Sequence, residues 1–222
     1  MTFRFLSDNI TIMDKKLINI LRTKTTFFFD YDGTIVDNEK LHFLAHKINM
    51  KQYGFNLKKQ DFLDCCICRS SEDIMDCLEK RFNFKIKNRE QFWDRFLDID
   101  LRVMTENQQT VFPYIDEIFR LFPNIDKIII SNESMRVLRA FLSNAKLASK
   151  FDALYSCFMR EPKAVTLQNL KRVFNVFPQD AVLFEDSQKN IDAAKQAGIF
   201  TIGITHNYNH GLQADYIIKK GM

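Results

Sequence analysis

Glycine and proline are scarce, at 6 and 4 of 222 residues, which excludes a low-complexity chain and predicts short linkers. No apolar run approaches the roughly 20 residues of a membrane helix, so no membrane partner is expected. Asp8 and Asp14 interrupt the stretch where a secretory signal would be apolar, and the expected location is cytoplasmic. Neither sign of charge dominates. The 32 basic and 28 acidic residues are dispersed, and a net charge of +4 does not make a polyanion surface, so no nucleic-acid partner is expected. The five cysteines, at 65, 66, 68, 77 and 157, are odd in number and irregular in spacing. That argues against a disulfide framework and against paired C-x-x-C zinc ligation, leaving reduced thiols packed as small apolar groups.

Apolar residues are plentiful at 46%, including 22 phenylalanines, enough for a sizeable core in one or two domains. From Thr25 onward, short apolar runs ending in polar turn formers alternate with helical periodicity, the pattern of an α/β layer fold. Phe27–Phe29, Lys127–Ile130, Ala153–Tyr155, Ala181–Phe184, Phe200–Ile204 and Tyr216–Ile218 read as strands too apolar to have a wet face. They predict a parallel sheet covered on both sides. Glu39 to about Gln109 carries no strand signal and reads as a helical insertion. Its signals are Leu41, Leu44, Ala45 and Ile48 before a stop at Gly54, a helix start at Ser71, and an apolar face of Phe92, Trp93, Phe96, Leu97, Leu101 and Met104. The expected organisation is an N-terminal extension over 1–24, an α/β core over 25–37 and 110–222, and a helical cap over 38–109. A monomer is the expectation.

Three strand ends carry polar groups suited to one chemistry. The first run stops at Asp30, with Asp32, Gly33 and Thr34 following; an Asp-Gly here would alone mean only a tight turn. At the carboxyl edge of a parallel sheet, however, two carboxylates two residues apart face the crevice where such folds bind ligands, and backbone N–H groups beyond them suit phosphate. A second run ends in Ser131 and Asn132, able to hydrogen-bond a phosphoryl oxygen, and a third in Glu185 and Asp186. Taken singly, the second and third have an ordinary helix-start explanation. Their co-occurrence does not.

These residues bear a resemblance. DYDGTIVDNEKLH from Asp30 to His42, IIISN from Ile128 to Asn132 and LFEDSQKNIDAAKQAG from Leu183 to Gly198 resemble the motifs of haloacid dehalogenase superfamily hydrolases. The branch is the helical-cap one, similar to phosphoglycolate phosphatases and beta-phosphoglucomutase-like proteins, and the likeness runs from about Phe27 to Ile218. It implies a Rossmann-like parallel core with an inserted α-helical cap, and a phosphatase acting on a small phosphorylated metabolite. Asp30 would be the nucleophile and Asp32 the general acid and base. Magnesium would be held by Asp30, the Asp32 carbonyl and Asp186, supported by Glu185, and Ser131 and Asn132 would position the phosphoryl group.

Two departures stand out. Glu161 and Pro162 occupy the place of the family's lysine-proline pair, so the cation beside the nucleophile is Lys163, or failing that Arg160, or the site is weakened. In the cap, CICRSSED from Cys65 to Asp73 resembles the substrate-facing loop, and Arg69 is its candidate ligand. Mutases of the branch carry a basic residue nearer Ser71, and its lack here favours hydrolysis. The alternatives are a phosphomutase and a catalytically weakened binding protein. His42, His206 and His210 are expected to be exposed.

Overall fold

The phenylalanine run that opens the motif also centres the sheet. Strand side chains alternate across a pleat. Phe27 and Phe29 therefore pack on one face with Ile129, Val182 and Phe184, while Phe28 lies on the other with Ile128, Ile130 and Leu183. All three phenylalanines are fully buried, each contributing about 1.5–3 kcal/mol of burial. The computed structural model describes residues 13–67, 69, 71–158, 160–206, 209 and 211–219. Cys68 and His210 thus lie outside the described residues.

In chain order the elements begin with α1 (Lys15–Leu21), β1 (Thr26–Phe29) and β2 (Val36–Asp37). Four helices follow, α2 (Glu39–Lys51), α3 (Lys59–Cys65), α4 (Ser71–Phe82) and α5 (Arg89–Glu106), and β3 (Thr110–Val111) closes the excursion. Then come α6 (Pro113–Leu121), β4 (Asp126–Ser131), α7 (Met135–Asn144) and β5 (Ala153–Ser156). The last part holds α8 (Lys163–Gln168), α9 (Leu170–Phe174), β6 (Ala181–Glu185), α10 (Gln188–Gln196), β7 (Phe200–Thr205) and β8 (Tyr216–Lys219).

The sheet has the order β5-β4-β1-β6-β7-β8, and every pairing in it is parallel. The chain moves outward from β1 to β4 and β5, then returns to the other side of β1 for β6. That reversal is where a parallel sheet leaves a crevice at its carboxyl edge. Residues of α1, α6 and α7 cover one face, and residues of α8, α9 and α10 the other. The expectation of strands without a wet face holds at the centre but not at the edges, where β5 and β8 are partly exposed.

The N-terminal helix is part of this core. Asp14 caps α1 by accepting the Leu17 N–H at 2.8 Å, and Met13, Leu17 and Leu21 are fully buried with the sheet.

Helices α2 to α5 bury a separate apolar cluster that includes Met50, Phe62, Met75, Leu78, Phe92 and Phe96. Strands β2 and β3 pair antiparallel where the chain enters and leaves this unit, too short to have been read from sequence. Two expected faces differ. On α2, Leu44 points outward, and His46 and Asn49 are buried in its place. On α5, Leu101 and Met104 pack with the sheet core while Phe92, Trp93 and Phe96 stay in the helical cluster, so this helix is shared between both.

The reading of all cysteines as reduced is corrected. Cys65 at the end of α3 and Cys77 in α4 form a disulfide with their Cα atoms 5.3 Å apart. The packing of two helices, not sequence spacing, brings them together. Cys66 and Cys157 are free and buried. Closing a loop of this size restricts the unfolded chain, so reduction by dithiothreitol should destabilise the helical unit by about 3 kcal/mol. Urea unfolding with and without reductant, followed by Trp93 fluorescence, measures it; coincident curves would refute it.

Candidate active site at the strand ends

The register of the central strands gathers the acidic residues. Phe29 of β1 lies level with Phe184 of β6, and the Asp30 N–H donates to the Phe184 carbonyl at 2.9 Å, so Asp30 emerges beside Glu185 and Asp186. Carboxylate oxygens of Asp30, Glu185 and Asp186 lie within 4.8 Å of one another, all three residues buried. These are hard oxygen donors of the kind magnesium or calcium takes, in contrast to the thiolate and imidazole sets of zinc.

One cation already sits among them. Pro162 precedes α8, and Lys163 in its first position sends a fully buried ammonium to Asp30 Oδ1 at 2.6 Å and Glu185 Oε2 at 3.0 Å. The two carboxylates hold its pKa above the ordinary lysine value, against the effect of burial. Glu185 is committed further by accepting the backbone N–H groups of Asp186 and Ser187. The other candidates for this place are elsewhere. Arg160 is exposed over the Tyr155 ring, and Glu161 faces Arg172 at 3.7 Å.

Asp30 is pushed well above the usual carboxylate range by burial first and by the Glu185 charge next, with Lys163 opposing. Burial, Asp30 and Glu185 raise Asp186 in the same way. Three carboxyl groups thus share one ammonium. A second cation would relieve their repulsion.

Asp32 is held differently. Asn38 Nδ2 at 2.6 Å and His42 Nε2 at 2.8 Å both reach its Oδ1. Burial opposes its ionisation, but the charge and hydrogen bond of His42, then Asn38 and Lys163, outweigh burial and lower its pKa. The expectation of an exposed His42 is thus overturned: its side chain is 19% exposed and its Nδ1 lies 3.3 Å from Asp100 Oδ1. Asp32 and Asp100 raise its pKa well above the ordinary imidazole value despite burial. One turn on, His46 is pushed down to about 3 by burial and by the charge of His42.

The turn after Asp32 differs from expectation. Gly33 adopts φ +69°, a conformation that favours glycine, and its N–H donates to the Val36 carbonyl at 2.9 Å. The Thr34 N–H is likewise directed to the Tyr31 carbonyl, at 3.3 Å, so the turn uses both donors expected to face phosphate. His206 is buried rather than exposed: its Nε2 meets the Gly33 carbonyl, its ring packs on Phe112, and it lies 3.8 Å from Asp186. Both histidines looked exposed because the residues that bury them are distant in sequence.

On the other side of β1, Ser131 is buried and its Oγ accepts the Glu133 N–H at 3.0 Å, leaving its own hydrogen to donate. Asn132 is exposed beside it. Sequence reasoning passed over Glu133, whose carboxylate groups with Asp32 and His42 within 4.8 Å. Burial first, then the charges of Asp100 and Asp32, raise its pKa well above the carboxylate range. Arg69 is exposed on the cap loop and is not among the groups gathered at the strand ends.

Comparison with known proteins assigns the family. A phosphorylated carbohydrates phosphatase of Thermotoga maritima is 27% identical over 201 residues, covering 82% of this chain and 86% of that protein. A phosphoglycolate phosphatase of Pseudomonas putida is 24% identical over 124 residues, 54% of this chain. The chain spans only 46% of that relative's length. Among solved structures, CbbY from Rhodobacter sphaeroides in complex with phosphate superposes with a TM-score of 0.72 at 17% identity, covering 87% of this chain and 93% of that one. Beta-phosphoglucomutase from Clostridium difficile does so with a TM-score of 0.68 at 19% identity, covering 88% and 90%. At such identities the two structures establish the fold alone. The family model of haloacid dehalogenase-like hydrolases matches residues 27–204, and the chain belongs to that family.

Proposed function

We propose that the protein is a magnesium-dependent phosphatase of a small phosphate ester, working through an aspartyl-phosphate on Asp30. The observation that carries this reading is the ion pair of Asp30 with buried Lys163, set beside Asp186 and Asp32 at adjoining strand ends. Asp30 attacks phosphorus; a bond from its carboxylate oxygen to phosphorus forms as the ester P–O bond breaks. Asp32 gives the departing alkoxide a proton, then takes one from the water that displaces Asp30 from phosphorus. Ser131, Asn132 and Lys163 bind the phosphoryl oxygens. Asp30, Asp186 and the Asp32 carbonyl fit magnesium, which supplies positive charge against the repulsion between carboxylate and phosphate. The names of the Thermotoga and Pseudomonas relatives support phosphate esters as substrates. The helical unit beside the strand ends supports a small substrate.

The phosphomutase reading uses the same residues and rests here on fold similarity alone. A binding protein on a decayed site is the reading Glu161 favours, and Lys163 beside Asp30 supports the catalytic one.

Asp30→Asn should lower phosphate release from a panel of esters by about a thousandfold or more. A variant that keeps its activity would refute the nucleophile.

Magnesium should also stabilise the fold, by about 2.7 kcal/mol at a hundred times its dissociation constant. Raised carboxyl pKa values give a contribution present below the unfolded value of about 4 and lost as pH rises through the folded values. The thermal shift on adding magnesium should therefore be largest near neutrality, vanish in acid and be lost in Asp186→Asn. A shift independent of pH and of Asp186 would exclude this site.

Lys163→Met leaves buried carboxylates unpaired and should cost about 3–5 kcal/mol of stability at neutral pH, less in acid as Asp30 takes up a proton. Urea unfolding at two pH values decides this.

A further inference from the structure

Asp100 is a carboxylate with no exposed surface, on the cap helix α5, far along the chain from every motif residue. Its ion-pair partner is His42 Nδ1, 3.3 Å from Oδ1 and not aligned as a hydrogen bond, and the other ring nitrogen of His42 is hydrogen-bonded to Asp32 Oδ1 at 2.8 Å. Both ring nitrogens thus face carboxylate oxygens, which favours a hydrogen on each. Asn38 Nδ2 binds the same Asp32 Oδ1, at 2.6 Å, whereas no described residue donates a hydrogen bond to Oδ2. One oxygen of Asp32 is therefore clamped from the cap side. The other remains for the reacting group.

We propose that Asp100 is a positioning residue for proton transfer: through His42 it fixes Asp32 so that Oδ2 is the oxygen that delivers the proton to the leaving group. This rests on the reading of Asp32 as general acid. The step balances simply: the proton on Asp32 Oδ2 passes to the departing ester oxygen as the P–O bond breaks, and the electron pair of that bond stays with the oxygen. Asp100 exchanges no proton. Its role is to orient the imidazole by charge, a buried carboxylate facing the ring nitrogen not in use. Of the neighbouring groups, His46 is stacked on Phe96 at 4.2 Å, while Glu133, one oxygen of which accepts the Ser134 N–H, is the second carboxyl group within 4.8 Å of Asp32 and His42.

A comparison of two leaving groups isolates this role. An alkyl phosphate needs its leaving oxygen protonated, whereas p-nitrophenyl phosphate, with a stabilised phenolate, needs little help. The parameter to read is kcat/KM, which ends at the first irreversible step, phosphoryl transfer to Asp30. For Asp100→Asn, a near-isosteric change, kcat/KM should fall about 10- to 100-fold with glycerol phosphate and less than about threefold with p-nitrophenyl phosphate. His42→Gln keeps one donor toward Asp32 and should fall between wild type and Asp100→Asn on the alkyl ester. It also supplies the test should Asp100→Asn not fold, since His42→Ala must then show the same alkyl-selective loss. Equal losses on both esters, or none, would overturn the proposal. Asp32→Asn in parallel separates the two readings: if it hydrolyses the alkyl ester at the wild-type rate, Asp32 is not the acid. If it is inactive while Asp100→Asn matches wild type, only the positioning role fails.

Discussion

A buried ammonium between two buried carboxylates sets the terms for the rest of this molecule. Lys163 touches Asp30 and Glu185 at 2.6 and 3.0 Å, with almost no exposed surface on any of the three side chains. Withdrawing such charges from water costs several kcal/mol each, and their attraction offsets that only when the geometry is good and the remaining lone pairs are bonded. Here Glu185 is bonded twice more to backbone N–H groups, so it is fully engaged as a support. Burial first, and neighbouring carboxylates next, raise the pKa values of Asp30 and Asp186, and the three carboxyl groups share one ammonium. A phosphate dianion brought to these groups alone would be repelled. The site is thus built around a deficit of positive charge, which gives a divalent cation its place.

The parallel register makes this concentration of charge possible. Phe27–Phe29, with Val182 and Phe184 alongside, anchor β1 and β6 so firmly that their ends cannot splay apart to relieve the repulsion. Behind Asp30, Tyr114 donates to the Thr34 carbonyl and His206 meets the Gly33 carbonyl, tying the turn to the core. Apolar packing holds the polar edge in a conformation that its own electrostatics disfavour.

How much of this was legible in the sequence depends on the range over which each feature is determined. The central strands and their acidic ends could be read because an apolar run and its terminating residue are neighbours in the chain. Lys163 was harder: residue counting put Glu161 in the lysine's place, whereas the start of α8 at Lys163 decides which side chain reaches Asp30. The disulfide, the placing of the half-buried His42 against Asp100 and the burial of His206 beside Gly33 are products of packing between elements, and no local pattern encodes them. The free N–H groups foreseen at Gly33 and Thr34 failed for a local reason, since the turn folds back on Tyr31 and Val36. Residue type alone does not reveal that closure.

Helix α5 joins the two halves of the structure. Its Phe92, Trp93 and Phe96 complete the apolar cluster of the cap, while Leu101 and Met104 pack with the sheet, and Asp100 lies between these two sets. On α2, the buried His46 Nδ1 and both amide atoms of Asn49 lack hydrogen-bond partners among the described residues, as do Trp93 Nε1 and both carboxylate oxygens of Asp100 on α5. An apolar interface of the same shape would be more stable, because each unsatisfied buried polar atom costs about 1–3 kcal/mol. A stripe of polar groups in that setting weakens the cohesion of the cap. What it contributes in return is direction: the link from Asp100 through His42 to Asp32 joins cap to core at a single carboxylate oxygen. The position of the cap and the orientation of Asp32 are therefore one coupled variable.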